Sequence, residues 1–193
     1  MARLRLLRDG WLDGIPVIES PNFDARPVGV SPELIVIHAI SLPQGMFGTN
    51  LVELLFTNKL PNELDPNTSE LRGTRVSAHF YIDRSGLVTQ FVSTFCRAWH
   101  AGVSIWEGRT ACNDFSIGIE LEGCDYLPFD RKQYSALACL INNLVEHIPT
   151  CSWDSVVGHS DIAPSRKTDP GPFFNWEMLQ KERIHSTQIV SDF

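Results

Sequence analysis

The sequence predicts an α/β domain, a mixed β-sheet with helices packed on its faces. Three observations predict it. Two short β-branched apolar runs, "LIVIH" at residues 34–38 and "SVVGH" at 155–159, read as buried strands, each running into a histidine. They interleave with helical patterns, the strongest being "DRKQYSALACLINNLVEHI". The segment "VSAHFYIDRSGLVTQFV" reads as a β-hairpin, so the sheet is not purely parallel.

Taken in order, residues 1–30 carry scattered Pro and Gly and form an irregular lead-in across the domain. After the first strand, "GTNLVELLFTNKL" has helical spacing at Val52, Leu55 and Phe56, with Thr49 or Asn50 able to cap its start. "PNELDPNTSELRGT" is a loop by composition, and "DRSG" is the hairpin turn. "FSIGIELEG" alternates, with Phe115, Ile117, Ile119 and Leu121 on one face and Ser116, Gly118, Glu120 and Glu122 on the other. The best helix starts at Asp130, and Tyr134, Leu137, Ala138, Ile141, Leu144 and Val145 make its apolar stripe. After the second strand, the Pro-rich "SDIAPSRKTDPGPFFNW" leads to a final helix near residues 175–181, with 182–193 as a tail.

The length of 193 residues fits one domain, and 43% hydrophobic residues suffice for a real core. A net charge of -7 with no basic stripe argues against a nucleic-acid partner. No apolar run approaches the roughly 20 residues that span a bilayer, and "MARLRLLRDGWLDG" lacks the apolar core of a signal peptide. The expectation is a cytoplasmic protein with no membrane partner. Five cysteines without a CxxC pair read as reduced, mostly buried thiols.

His38 and His159 both end apolar strands, and strand ends at one sheet edge are where open α/β folds place sites. Asp169 follows ten residues after His159, on a loop long enough to fold back. Two imidazoles and one carboxylate leave a tetrahedral Zn²⁺ one free corner, the open geometry of a catalytic site. On spacing alone, paired core histidines and an aspartate turn explain the same residues. Glu120, on the polar face of its strand, is a candidate base for a metal-activated water. The competing reading is a solvent-facing carboxylate, the one assigned to Glu122. Lys167, two residues before Asp169, would share its side in an extended loop and could donate to an oxyanion. Taken alone, it reads as a surface lysine.

Five stretches, "LIVIHAISLP", "RVSAHFYIDRSG", "RAWHAGVS", "CNDFSIGIELEG" and "GHSDIAPSRKTDPGP", together resemble the zinc amidases of peptidoglycan. The resemblance is to the type that acts on 1,6-anhydro-N-acetylmuramyl-L-alanine, and it spans roughly residues 11–177. It implies one domain related to phage-lysozyme-type amidases and peptidoglycan recognition domains. It implies one Zn²⁺ on His38, His159 and Asp169, with Glu120 and Lys167 catalytic and an anhydro-muropeptide as the small-molecule substrate. Arg75 falls where the family binds the stem-peptide carboxylate, a task that suits a guanidinium fork. Trp99 and His100 fall at cleft-wall positions, and His79 reads as a paired core histidine. Ala39 departs from the asparagine common in this type, which bears on substrate contacts rather than on zinc. The resemblance also implies a place in cytoplasmic peptidoglycan recycling. The alternatives are a muropeptide-binding module without catalysis, a wall-lytic amidase of the same family, and a thiol hydrolase. The complete set of five catalytic and metal residues argues against a pure binder.

Overall fold

The computed structural model describes residues 5–61 and 71–191. Its lead-in carries three short strands, β1 (Arg5–Leu6), β2 (Leu12–Asp13) and β3 (Phe23–Ala25). The central sheet is built from β4 (Leu34–Ile40), β5 (Phe80–Ile82), β6 (Val88–Gln90), β10 (Ser116–Glu122) and β11 (Val156–Gly158). Between β6 and β10 lie β7 (Cys96–Ala98), which pairs with β3, and the hairpin of β8 (Ile105–Trp106) with β9 (Arg109–Thr110). The sheet order is β11-β4-β10-β5-β6, parallel except for the antiparallel β5–β6 edge. The predicted mixed sheet and hairpin are both present. In the hairpin turn the Asp83 carboxylate accepts from the amides of Ser85 and Leu87, and Gly86 takes the positive φ of 85° that closes it.

Strands β4 and β10 are buried on both faces, which is why β4 reads as an apolar run rather than an alternation. On one face, Ile35, Ile37, Phe80, Ile82, Ile117, Ile119 and Leu121 pack against the long helix α2 (Arg131–His147) through Leu137, Leu140, Ile141 and Leu144. Asp130 stands at the start of α2 as the sequence leads one to expect, and it forms a capping box with Gln133. The final helix, α4 (Trp176–Ser191), packs on α2 and runs well beyond the predicted stop at residue 181. Glu182, assigned to a tail, instead accepts from Ser135 Oγ and Arg131 Nε. The opposite face of the sheet carries Leu34, Val36 and His38 on β4 beside Ser116, Gly118 and Glu120 on β10, in register.

One local expectation is corrected. Helix α1 (Leu51–Phe56) has Asn50 at its N-cap without a side-chain bond, and Thr49 Oγ1 donates to the Leu42 carbonyl rather than capping the helix. Residues 62–70 of the predicted loop lie outside the described residues. Cys112, Cys124 and Cys151 are buried and all five cysteines are free, as expected of reduced thiols. Burial pushes the Cys151 thiol up to about 12 and raises Cys112 and Cys139 as well, the opposite of nucleophile activation. Among the described residues no helix is long and apolar enough to cross a membrane.

Candidate metal centre

His38 is not the last residue of its strand. Strand β4 continues to Ile40 because Leu121 and Glu122 extend the ladder opposite it. His159 likewise opens a short helix, α3 (His159–Ile162), directly after β11. The loop after α3 folds back: the Ser160 amide donates to the Asp169 carbonyl at 2.9 Å, and Thr168 Oγ1 donates to the Asp125 carboxylate. This segment is turned rather than extended, with the amides of Arg166 and Lys167 both donating to the Ala163 carbonyl.

Three ligand-type atoms thereby form a near-equilateral triangle. His38 Nδ1 lies 2.9 Å from His159 Nδ1 and 3.1 Å from Asp169 Oδ2, and His159 Nδ1 lies 3.0 Å from the same oxygen. The far nitrogens are committed elsewhere. His159 Nε2 is 3.1 Å from the Ala101 carbonyl, a pure acceptor, so the ring hydrogen sits on Nε2 and the Nδ1 lone pair is bare. Burial above all holds His38 near 4, assisted by His159 and Lys167 against the pull of Asp169, so its imidazole is neutral at pH 7. Burial would raise Asp169, but the hydrogen bonds and positive charge that His159 and His38 supply when they carry a proton on Nδ1 outweigh that and hold it well below the usual carboxylate range. Lone pairs this close repel unless a proton or a cation sits among them. A tetrahedral ion with bonds of about 2.0–2.1 Å spaces its ligands roughly 3.4 Å apart, a few tenths more than is seen here. The donor set fits a divalent metal of the zinc type.

Glu120 pairs with His38 across the two strands. Burial first, and then the negative charge of Asp169, raise its pKa well above the ordinary glutamate value, with Lys167 pulling the other way. Its Oε2 is buried without a hydrogen-bond partner among the described residues. Lys167 is an exposed residue whose charge is felt at both Glu120 and His38.

The other predicted residues fall as follows. His79 is the paired core histidine the sequence led us to expect: its Nδ1 accepts from the Gly118 amide and its Nε2 lies 3.1 Å from the Cys96 carbonyl. Trp99 is half-buried, with its backbone tied to Ser77 and Asn22. Arg75 is exposed and lines a cavity of about 280 Å³ with Leu55, Asn58, Leu60 and Thr74. His100, expected at the cleft wall, is in contact with a candidate ligand, with Nδ1 2.9 Å from His38 Nε2 and Nε2 3.1 Å from Ser116 Oγ. Sequence reasoning missed Asn113, whose Oδ1 accepts from the amides of His100 and Ala101, and Arg166, which donates to the Ala101 and Val103 carbonyls. Nothing in the local pattern marks either one. Glu122, read as solvent-facing, is 2% exposed.

A family model described as N-acetylmuramoyl-L-alanine amidase matches residues 28–172. The chain belongs to that family. This amidase is 48% identical over 171 residues to the Escherichia coli K12 protein 1,6-anhydro-N-acetylmuramyl-L-alanine amidase AmpD, covering 89% of this chain and 93% of that one. A crystal structure of a selenomethionine AmpD derivative superposes with a TM-score of 0.88 at 45% identity, covering 92% of this chain and 98% of the other. The Pseudomonas aeruginosa protein AmpDh3, crystallised in complex with anhydromuramic pentapeptide, superposes with a TM-score of 0.62 at 29% identity. That match covers 81% of this amidase and 61% of AmpDh3.

Proposed function

We propose that the chain is a single zinc-dependent catalytic domain acting on muropeptides. It cleaves the amide that joins the lactyl group of 1,6-anhydro-N-acetylmuramic acid to L-alanine. One observation carries the metal assignment: the triangle of His38, His159 and Asp169 beside a buried Glu120 oxygen with no partner among the described residues. The substrate class rests on the amidase family, on the relative named for the anhydro substrate, and on the AmpDh3 complex.

His38, His159 and Asp169 would hold the zinc, which when bound would supply Lewis acidity and make water easier to deprotonate near neutral pH. Glu120, its pKa raised by burial, takes the proton of the attacking water and returns it to the departing alanine amine. Lys167 donates to the oxyanion of the tetrahedral intermediate. Arg75 binds the stem-peptide carboxylate, and Trp99 contributes to the cleft wall. A place in cytoplasmic recycling of wall fragments belongs to the same reading and rests on the resemblance alone.

Mass analysis of digested anhydro-muropeptides tests the assignment. Glu120→Ala and Lys167→Ala are each expected to retain zinc and to lose on the order of a hundredfold or more in turnover. Full activity in Glu120→Ala would remove the base from the scheme, and zinc binding without cleavage by the wild-type chain would favour a binding module.

A further inference from the structure

Strand β10 presents Ser116, Gly118 and Glu120 on the face that carries the metal cluster, and each does something different there. Glu120 faces the cluster through its register with His38. Gly118 leaves room: a Cβ at this position would lie 2.5 Å from Cγ and Nδ1 of the His100 ring. Ser116 Oγ meets His100 Nε2 at 3.1 Å, while His100 Nδ1 meets His38 Nε2 at 2.9 Å. The ring of His100 is thus seated on a bare stretch of strand, with one nitrogen on a hydroxyl and the other on the candidate ligand. Its backbone is fixed separately, its amide donating to Asn113 Oδ1.

The three polar groups form a proton-ordered chain with two self-consistent arrangements. In one, His38 Nε2–H donates to His100 Nδ1 and His100 Nε2–H donates to Ser116 Oγ. This leaves His38 Nδ1 bare toward Asp169 and His159. In the reverse arrangement a hydrogen sits on His38 Nδ1 and closes the metal corner. We infer that His100, seated over Gly118 and anchored by Ser116, is a positioning residue that holds His38 in its metal-binding tautomer and ring orientation. This rests on the zinc reading above. It assigns to His100 a task distinct from contact with substrate, and second partners of ligating histidines typically govern metal affinity.

The test is zinc affinity of the full chain, measured by competition with a chromogenic chelator, together with kcat and KM at saturating zinc. His100→Phe keeps the ring but removes the acceptor, and is expected to weaken zinc binding by about 10- to 100-fold while KM stays within a few-fold. His100→Asn, whose carbonyl oxygen can occupy the Nδ1 position, is expected to recover most of the affinity. Unchanged zinc affinity in His100→Phe, with a raised KM, would overturn the inference and return His100 to the cleft wall. If His100→Phe does not fold, Ser116→Ala decides: several-fold weaker zinc binding supports the inference and unchanged binding overturns it. Absence of zinc binding by the wild-type chain would instead overturn the reading beneath it.

Discussion

Glu120 and Glu122 lie two residues apart on one strand and have opposite surroundings. The Glu122 carboxylate accepts from the amides of Gly48 at 2.5 Å and Arg84 at 2.9 Å, tying two loops to the end of the sheet. Glu120 keeps a buried oxygen without a partner among the described residues. A paired buried carboxylate is structural, whereas an unpaired one is costly and is kept where chemistry uses it. His79 is the acid-sensitive counterpart. Burial first, and then the Arg26 guanidinium, lower it from 6.5 to about 3. The unfolded chain therefore binds the extra proton between those values. The stability that neutral His79 contributes is full above pH 6.5 and is lost as pH falls toward 3, at up to about 1.4 kcal/mol per pH unit. Urea unfolding at pH 7 and pH 4.5 is expected to show a smaller acid loss in His79→Gln than in wild type. Equal losses would contradict the assignment.

Among the elements, α2 depends most visibly on a local signal. Its cap is worth about 1 kcal/mol, so Asp130→Ala is expected to lower the urea midpoint with an unchanged slope. An unchanged midpoint would mean that packing alone sets the start of the helix. The apolar stripe of α2, the hairpin turn and the run in β4 were all legible, because each writes its period or turn chemistry into adjacent residues. What escaped the sequence depends on contacts between distant segments. Strand β4 passes His38 only because β10 offers two more partners, and α4 outlasts its prediction by packing on α2 through a segment of weak apolar pattern. The candidate ligands could be named from residue type and strand position, but the second partners Ser116, Gly118 and Asn113 could not. The alternation of β10 did place Ser116, Gly118 and Glu120 on one face, and that was the single available hint.

For the whole molecule, the cluster joins segments far apart in sequence: His38 lies 121 residues from His159 and 131 from Asp169. An unfolded chain cannot gather them, so zinc is expected to bind the folded state and to stabilise it by mass action. At free zinc 100 times the dissociation constant the gain is about 2.7 kcal/mol, and Tm should climb with zinc concentration. A Tm indifferent to zinc would mean that the triangle is closed by protons instead. The account rests finally on a catalytic metal held by these three side chains. The most direct measurement is cleavage of an anhydro-muropeptide by the chain stripped with chelator and then reconstituted with one equivalent of Zn²⁺. Loss of cleavage on stripping and its return with the metal are predicted for the wild type, with no return in His159→Ala. Stripped, metal-free protein that cleaves as fast as the untreated chain would contradict it.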